Sequence, residues 1–178
     1  ERINYILDQK INDRGILIDL EMAANAVEID SENAKILNDR IKFLTKIDNP
    51  NSAAQIKKWL GEAMGKEITT LAKDEIPKLI EESESDTIKE VLELRQKASK
   101  TSVKKYTAML NCACDNLRAH GLFQFYGANR TGRWAGRLIQ LQNLPRNYLN
   151  DLDLARQMVK NNDFNLLGMC YEDVADTL

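Results

Sequence analysis

Little in this chain can cross-link, kink or span a membrane. It has three cysteines, three prolines, eight glycines and one histidine in 178 residues. The odd cysteine count (Cys112, Cys114 and Cys170) argues against a disulfide framework and fits a reducing, cytoplasmic setting. Cys112-x-Cys114 has no second pair and no nearby histidine to complete it. A zinc site needs about four ligands, so the two read as small apolar helix residues. No apolar run approaches the roughly 20 residues of a membrane helix, and no signal-peptide pattern opens the chain. Internal repeats and low-complexity tracts are also missing. Glu1-Arg2-Ile3-Asn4 lacks an initiator methionine, and Ala175-Asp176-Thr177-Leu178 stops inside a helix-like pattern, so both ends read as cut from a longer polypeptide.

What remains is ordinary for a globular protein, 43% hydrophobic and 29% charged, and long enough for one domain or a domain and a half with a real core. The net charge of −2 hides a strong asymmetry. Between residues 94 and 150 the only acid is Asp115, against Arg95, Lys97, Lys100, Lys104, Lys105, Arg118, Arg130, Arg133, Arg137 and Arg146. A solvated mixed surface interleaves the signs. Separation of this kind suits a polyanionic partner, with the acidic remainder maintaining solubility.

The periodicity predicts a mainly α chain with one small β-hairpin. A short helix over residues 4–13 ends at Arg14-Gly15. An extended piece follows, and Asp19 caps a long helix whose stripe is Ala34, Leu37, Ile41 and Leu44. Ser52 caps the next helix, 53–60, and Gly61, Gly65 and Pro77 keep the following region short and broken. A helix over 83–100 is acidic at its start and basic at its end, which complements the helix dipole. Another, capped by Thr101-Ser102, runs to Leu117 with Tyr106, Met109, Leu110, Ala113 and Leu117 on one apolar face, and His120-Gly121 stops it. Residues 121–139 form the hairpin, with the turn at Gly127-Ala128-Asn129-Arg130. A polar segment covers 140–150. Helices fill 151–178, the first capped by Asp151 or Asp153. Two strands alone are marginal, so the hairpin must lean on helices or belong to a larger sheet, and its open edge is expected to lie uncovered.

The most informative stretch is Thr131-Gly132-Arg133-Trp134-Ala135-Gly136-Arg137-Leu138-Ile139-Gln140-Leu141-Gln142-Asn143-Leu144-Pro145, which contains no acid. Gly132 and Gly136 would let a ligand approach the backbone. Arg133 and Arg137 present planar forks of donors suited to phosphates or base acceptors. Gln140, Gln142 and Asn143 carry donor and acceptor together, which suits the acceptors every base pair shows in the minor groove.

Thr131-Gly132-Arg133 followed after seven residues by Leu141-Gln142-Asn143-Leu144-Pro145 resembles the signature preceding the catalytic aspartate strand of family A DNA polymerases, the bacterial DNA polymerase I type. The intervening Trp134-Ala135-Gly136-Arg137-Leu138-Ile139-Gln140 departs from the common Leu-Ser-Ser-x-x-Pro-Asn and resembles the phage and prophage branch. Arg14-Gly15-Ile16-Leu17-Ile18-Asp19 resembles the family's lead into its long thumb-base helix. Asn49-Pro50-Asn51-Ser52-x-x-Gln55 resembles its Asn-x-Asn-Ser-x-x-Gln turn. Leu94-Arg95 with Ser99-Lys100-Thr101 resembles the basic thumb segment, and His120-Gly121-Leu122-Phe123 resembles the first palm strand.

The resemblance implies a helical thumb-like subdomain over 1–118 and the start of an incomplete α+β palm over 119–178. It implies that Arg133 reaches the minor groove at the primer terminus and that Gln142 and Asn143 touch the groove or sugars nearby. Thr131 would fix the segment, and Lys100, Lys104 and Lys105 would contact phosphates. Arg137 and Gln140 join this DNA-binding set. The partners implied are primer–template duplex DNA and, in a parent DNA-directed DNA polymerase, dNTP; no membrane and no oligomer is implied. The parent's Mg2+ would be held by carboxylates that this chain does not supply. Asp30-Ser31-Glu32 lacks the family's aromatic, His120 is followed by Gly121 and Leu122, and Asp151-x-Asp153 is explained by helix capping. The chain alone is therefore expected to be inactive. A stand-alone helical adaptor, binding nucleic acid or an acidic protein, is the other reading of the same charge pattern.

Overall fold

The structure is a computed structural model that describes residues 1–99, 103–144 and 149–178. It is mainly helical with two small antiparallel strand pairs. The elements are α1 (Arg2–Arg14), β1 (Ile16–Leu17), α2 (Leu20–Thr45), α3 (Ala53–Met64), α4 (Ile76–Glu82), α5 (Asp86–Ala98), α6 (Lys104–Cys112), β2 (Arg118–Ala119), β3 (Phe123–Ala128), β4 (Arg133–Gly136), α7 (Leu152–Lys160) and α8 (Phe164–Cys170), with 3-10 turns at Leu141–Asn143 and Val174–Asp176. The chain forms two compact units, Glu1–Asp30 with Thr101–Leu178, and Ser31–Lys100. This partition is spatial; the expected thumb and palm division at 118/119 concerns roles.

The smaller unit is built on Ile41, Ile56, Leu60, Val91 and Leu92, all fully buried, with Ile68, Ile76, Leu79 and Ile88 around them. The predicted stripe of α2 narrows to its end: Ile41 is buried and Leu44 joins the cluster, while Ala34 and Leu37 are half-buried. The turn before α3 is closed by its own side chains. Ser52 Oγ accepts from Gln55 N (3.4 Å), Gln55 Oε1 accepts from Asn49 N (2.8 Å), and Asn49 Oδ1 accepts from Asn51 N (3.0 Å). The first bond is a helix cap, a side-chain oxygen satisfying an amide that helix geometry leaves unpaired, and the other two close the turn ahead of it. Pro77 does not break the region: it sits in the first turn of α4, where its missing N–H costs nothing.

In the larger unit β1 pairs with β2, Ile16 opposite Ala119 and Leu17 opposite Arg118. Ile18, Ala119, Leu122 and Ile139 form one buried cluster. Ala26, Ile29, Met158, Val159, Leu167 and Val174 form another. Asp19 caps α2 as predicted, accepting from Met22 N at 3.1 Å. The same carboxylate pairs with the Lys160 ammonium at 2.6 Å.

Several boundaries differ from the sequence expectation. α6 ends at Cys112, not Leu117, because residues 114–117 make a tight turn. There Leu117 takes φ 60 and Cys114 N donates to Arg118 O at 2.9 Å, so residues 118–119 are freed to pair as β2. The proposed single apolar face therefore divides: Tyr106 packs in one cluster, Met109 in the other, and Leu117 is exposed. His120 lies beyond β2 and its Nδ1 faces Asn12 O at 3.2 Å, near the end of α1 and not of α6. Asp151 occupies the N-cap position of α7, but its carboxylate accepts from Tyr171 OH (2.9 Å), and Asp153 faces Arg156. α8 stops at Cys170. Thr101 and Ser102 lie outside the described residues.

The β3 edge of the hairpin is not left open. Asp8 and Asn12, one turn apart on α1, face β3. Asn12 Nδ2 donates to Phe123 O (2.9 Å), Asn12 Oδ1 accepts from Phe123 N (3.0 Å), and Asp8 Oδ1 accepts from Phe125 N (2.9 Å). Two helical side chains thus do the work of a neighbouring strand, which answers the edge problem. Asn12→Leu keeps the volume and removes both bonds. It should cost about 1–3 kcal/mol, the penalty of leaving buried polar groups unpaired, and native-state hydrogen exchange should show the Phe123 amide opening faster. Unchanged Phe123 protection would count against the bracing.

The Asp19–Lys160 pair makes a pH-dependent prediction. The hydrogen bond from Lys160, and then that from Met22 N, hold the Asp19 carboxyl below its ordinary value of 3.8. The unfolded chain therefore binds the proton more readily, and the contribution is complete above pH 4 and lost as pH falls through the lowered value. Asp19→Asn should be less stable than the parent at neutral pH, and thermal melts should converge toward pH 2. A gap of constant size across that range would refute it.

Candidate nucleic-acid interface

β3 and β4 pair antiparallel with Phe123 opposite Gly136, Gln124 opposite Ala135 and Ala128 opposite Arg133. Between the last two pairs β3 takes four steps and β4 only two, so β3 bulges at Phe125-Tyr126-Gly127. The turn is Asn129-Arg130-Thr131-Gly132, two residues later than predicted, because Gly127 and Ala128 continue the strand. Thr131 N and Gly132 N both donate to Ala128 O, at 3.0 and 2.9 Å.

Alternation along β4 sets Arg133 and Ala135 on one face, and Arg137 follows just past the strand. Arg133 and Thr131 are exposed. Arg137 is exposed at its head but held: Nε donates to Gln124 Oε1 at 3.0 Å, and Nη2 contacts the same oxygen. Ile139, fully buried, then pins the chain into the core. Gln140 turns it with φ 51, and Leu141–Asn143 makes a 3-10 turn. Gln140, Gln142 and Asn143 all lie exposed on this turn. Asn143 Nδ2 donates to Gln140 Oε1 (3.0 Å), so the two exposed amides brace each other.

The cations fall into two sets. Lys105, half-buried, donates to Ile139 O at 2.8 Å and so anchors the polar turn. Arg118 donates to Arg14 O (2.8 Å) and Gly15 O (3.3 Å), satisfying carbonyls at the end of α1. Lys104, Arg130 and Arg133 are exposed, and their side chains make no hydrogen bond or ion pair with another described residue. Lys100 lies outside the described residues, as does Arg146. The hairpin and polar turn thus bring Thr131, Arg133, Arg137, Gln140, Gln142 and Asn143 into one continuous segment, with Lys105 tied to it and Lys104 beside Lys105 at the start of α6.

The two glycines have a different use from the one expected. A Cβ at Gly132 would lie 2.7 Å from the Tyr126 ring, and a Cβ at Gly136 would collide with the Gln142 side-chain amide. The space at each is filled by the protein itself, not kept for a ligand backbone contact. Asp8 and Asn12 were missed in the sequence as positioning residues. Nothing local singled them out: α1 also carries Arg2, Asn4, Gln9, Lys10, Asp13 and Arg14, so two more polar residues do not stand apart in the pattern.

Among the described residues no group of three His, Cys, Asp or Glu side chains could hold a metal ion. Cys112 packs half-buried beside the core and burial pushes its thiol pKa up, whereas Cys114 lies past the helix, exposed. No helix among the described residues is long and apolar enough to cross a membrane.

Over 170 residues the chain is 49% identical to a protein named DNA polymerase from Bacillus phage SP02. The match takes in 96% of this chain and 26% of the phage protein, so the chain spans about a quarter of that relative's length. No protein-family model matches, and no solved structure matches.

Gly132→Ala forces a side chain into the left-handed region at φ 63 and into Tyr126. It should cost about 1–3 kcal/mol, read as a lower denaturation midpoint. Gly136→Ala should instead displace the Gln142 amide, visible as a shift of its NMR side-chain resonances. A Gly132→Ala protein as stable as the parent would show that the turn is not as described.

Proposed function

We propose that this chain is the primer–template-gripping part of a DNA-directed DNA polymerase of the family A type, with thumb-like residues 1–118 and the start of the palm at 119–178. The observation that carries it is the exposed Arg133 at the start of β4, followed by the anchored polar turn, in a chain alike over nearly its whole length to a phage protein named DNA polymerase.

Duplex DNA offers two things to such a surface. Its phosphates attract cations without regard to sequence. Its minor groove shows acceptors at every base pair, which suits an enzyme that must hold any sequence. Arg133 would donate into that groove, while Gln140, Gln142 and Asn143 meet base or sugar edges. Arg137, steadied by Gln124, would face the same strand. Thr131 fixes the turn, and Lys104 and Lys100 meet phosphates. Lys105 spends one N–H on Ile139 O and keeps two for a phosphate. In the parent enzyme Mg2+ would supply charge stabilisation for nucleotidyl transfer from dNTP, and no metal ligands are assigned to this chain. The chain's own work is to place and hold the primer end, in a cytoplasmic setting, without turnover by itself.

Binding measured against salt tests this. Log affinity for primer–template should fall linearly with log salt, by about 0.9 per phosphate contact. Lys104→Ala should reduce that slope by about one. Arg133→Ala removes a charged hydrogen bond of about 1.5–3 kcal/mol and should weaken duplex binding more than single-strand binding. A flat salt profile discards the duplex-gripping role and leaves the adaptor for a protein partner. Equal losses on duplex and single strand discard the minor-groove role of Arg133.

A further inference from the structure

Tyr126 is an aromatic ring that the fold holds firmly and yet leaves in solvent. Its side chain is 54% exposed. Its backbone takes φ 55, a left-handed conformation that non-glycine residues adopt rarely and that clusters at functional positions. The ring lies across Gly132, where any Cβ would meet Cε2 at 2.7 Å. Phe125 meets it edge-on, centroids 6.1 Å apart at 63°, and Phe125 is itself met edge-on by Trp134 at 5.7 Å and 66°. The bulge in β3, the glycine in the turn and an aromatic neighbour therefore all fix one exposed ring. Arg130 in the turn and Arg133 directly after it are both exposed, and neither side chain has an ion pair to a described residue. No acid occurs in sequence between Asp115 and Asp151.

We propose that Tyr126 stacks against an unpaired nucleobase of the DNA held at this hairpin. The inference rests on the nucleic-acid reading above and adds a base-stacking contact to it. Every base has a π-face, so stacking is indifferent to sequence and complements the phosphate attraction of Arg130 and Arg133. An acidic protein segment would use the arginines but has no need of a bare, positioned ring.

The test uses the intact protein and fluorescence anisotropy with three DNAs: a duplex with a single-stranded overhang, the same duplex blunt, and the same overhang made abasic. The overhang with bases should bind about 5- to 100-fold tighter than the abasic one. Tyr126→Gly suits the positive φ, so the fold survives while the ring is lost, and it should erase that difference. Tyr126→Phe should keep it. A Tyr126→Gly protein that retains the preference overturns the stacking role. If all three DNAs bind equally, yet Arg133→Ala weakens them, the stacking role falls and the duplex-gripping reading stands. If no DNA binds in a salt-dependent manner, both fall together. A polyglutamate peptide that competes with DNA for the parent but not for Tyr126→Gly would overturn the nucleobase assignment.

Discussion

The bonds from α1 to β3 are the constraint on which the candidate interface depends. A two-residue ladder and a bulged hairpin are both too small to stand alone. Asp8 and Asn12 turn a helix into the hairpin's third member, because their side-chain atoms meet the Phe123 and Phe125 backbone groups that a next strand would have met. The same helix end is closed by Arg118 and His120, from β2 and just beyond it. Gly15 permits that closeness, since a Cβ there would lie 2.8 Å from both Ala119 O and His120 Nδ1. One packed junction, rich in polar groups and almost wholly satisfied, therefore fixes where β3 starts and so where Arg133 emerges.

From that junction outward the basic residues divide by role. Arg118 and Lys105 donate to backbone carbonyls and are structural first. Arg137 is steadied by a glutamine. Lys104, Arg130 and Arg133 have no described partner. A count of ten cations between residues 94 and 150 overstated the surface available to a polyanion, because charge in sequence does not say which donors the fold consumes. Phosphate attraction rests on the residues left over, and their number sets the expected salt dependence.

Much of the fold was legible where local chemistry decides it. Asp19 and Ser52 announced their caps, and Gly15 at the end of α1, the apolar stripe of α2 and the charge polarity of α5 placed those helices within a few residues. The failures lie where contacts distant in sequence override local pattern. Arg118 and Ala119 look like the end of α6, yet they pair with β1, about a hundred residues earlier, and the helix yields five residues to allow it. Asp151 looks like a side-chain cap, but Tyr171 takes its carboxylate. Within the candidate site, the identities of Arg133, Gln140, Gln142 and Asn143 were readable from the motif. The bond between Gln140 and Asn143 and the tether from Lys105 were not, since both depend on a turn at φ 51 that periodicity does not foretell.

The glycines of the Thr-Gly-Arg segment show why a motif's spacing can be right for a reason other than the first one offered. Glycine near a cationic residue suggests space for a ligand. Here the space at Gly136 admits Gln142 and that at Gly132 admits Tyr126. Both fillers are exposed polar or aromatic side chains, held against the strand on one side and open on the other. The glycines then act at one remove: each removes a Cβ so that a residue elsewhere in the chain can be fixed in a pose it could not otherwise keep. Fixing a side chain before its partner arrives lowers the entropy lost on association. Gly132, Gly136 and the left-handed Tyr126 and Gln140 thus belong to one edge whose exposed side chains the chain itself holds in place.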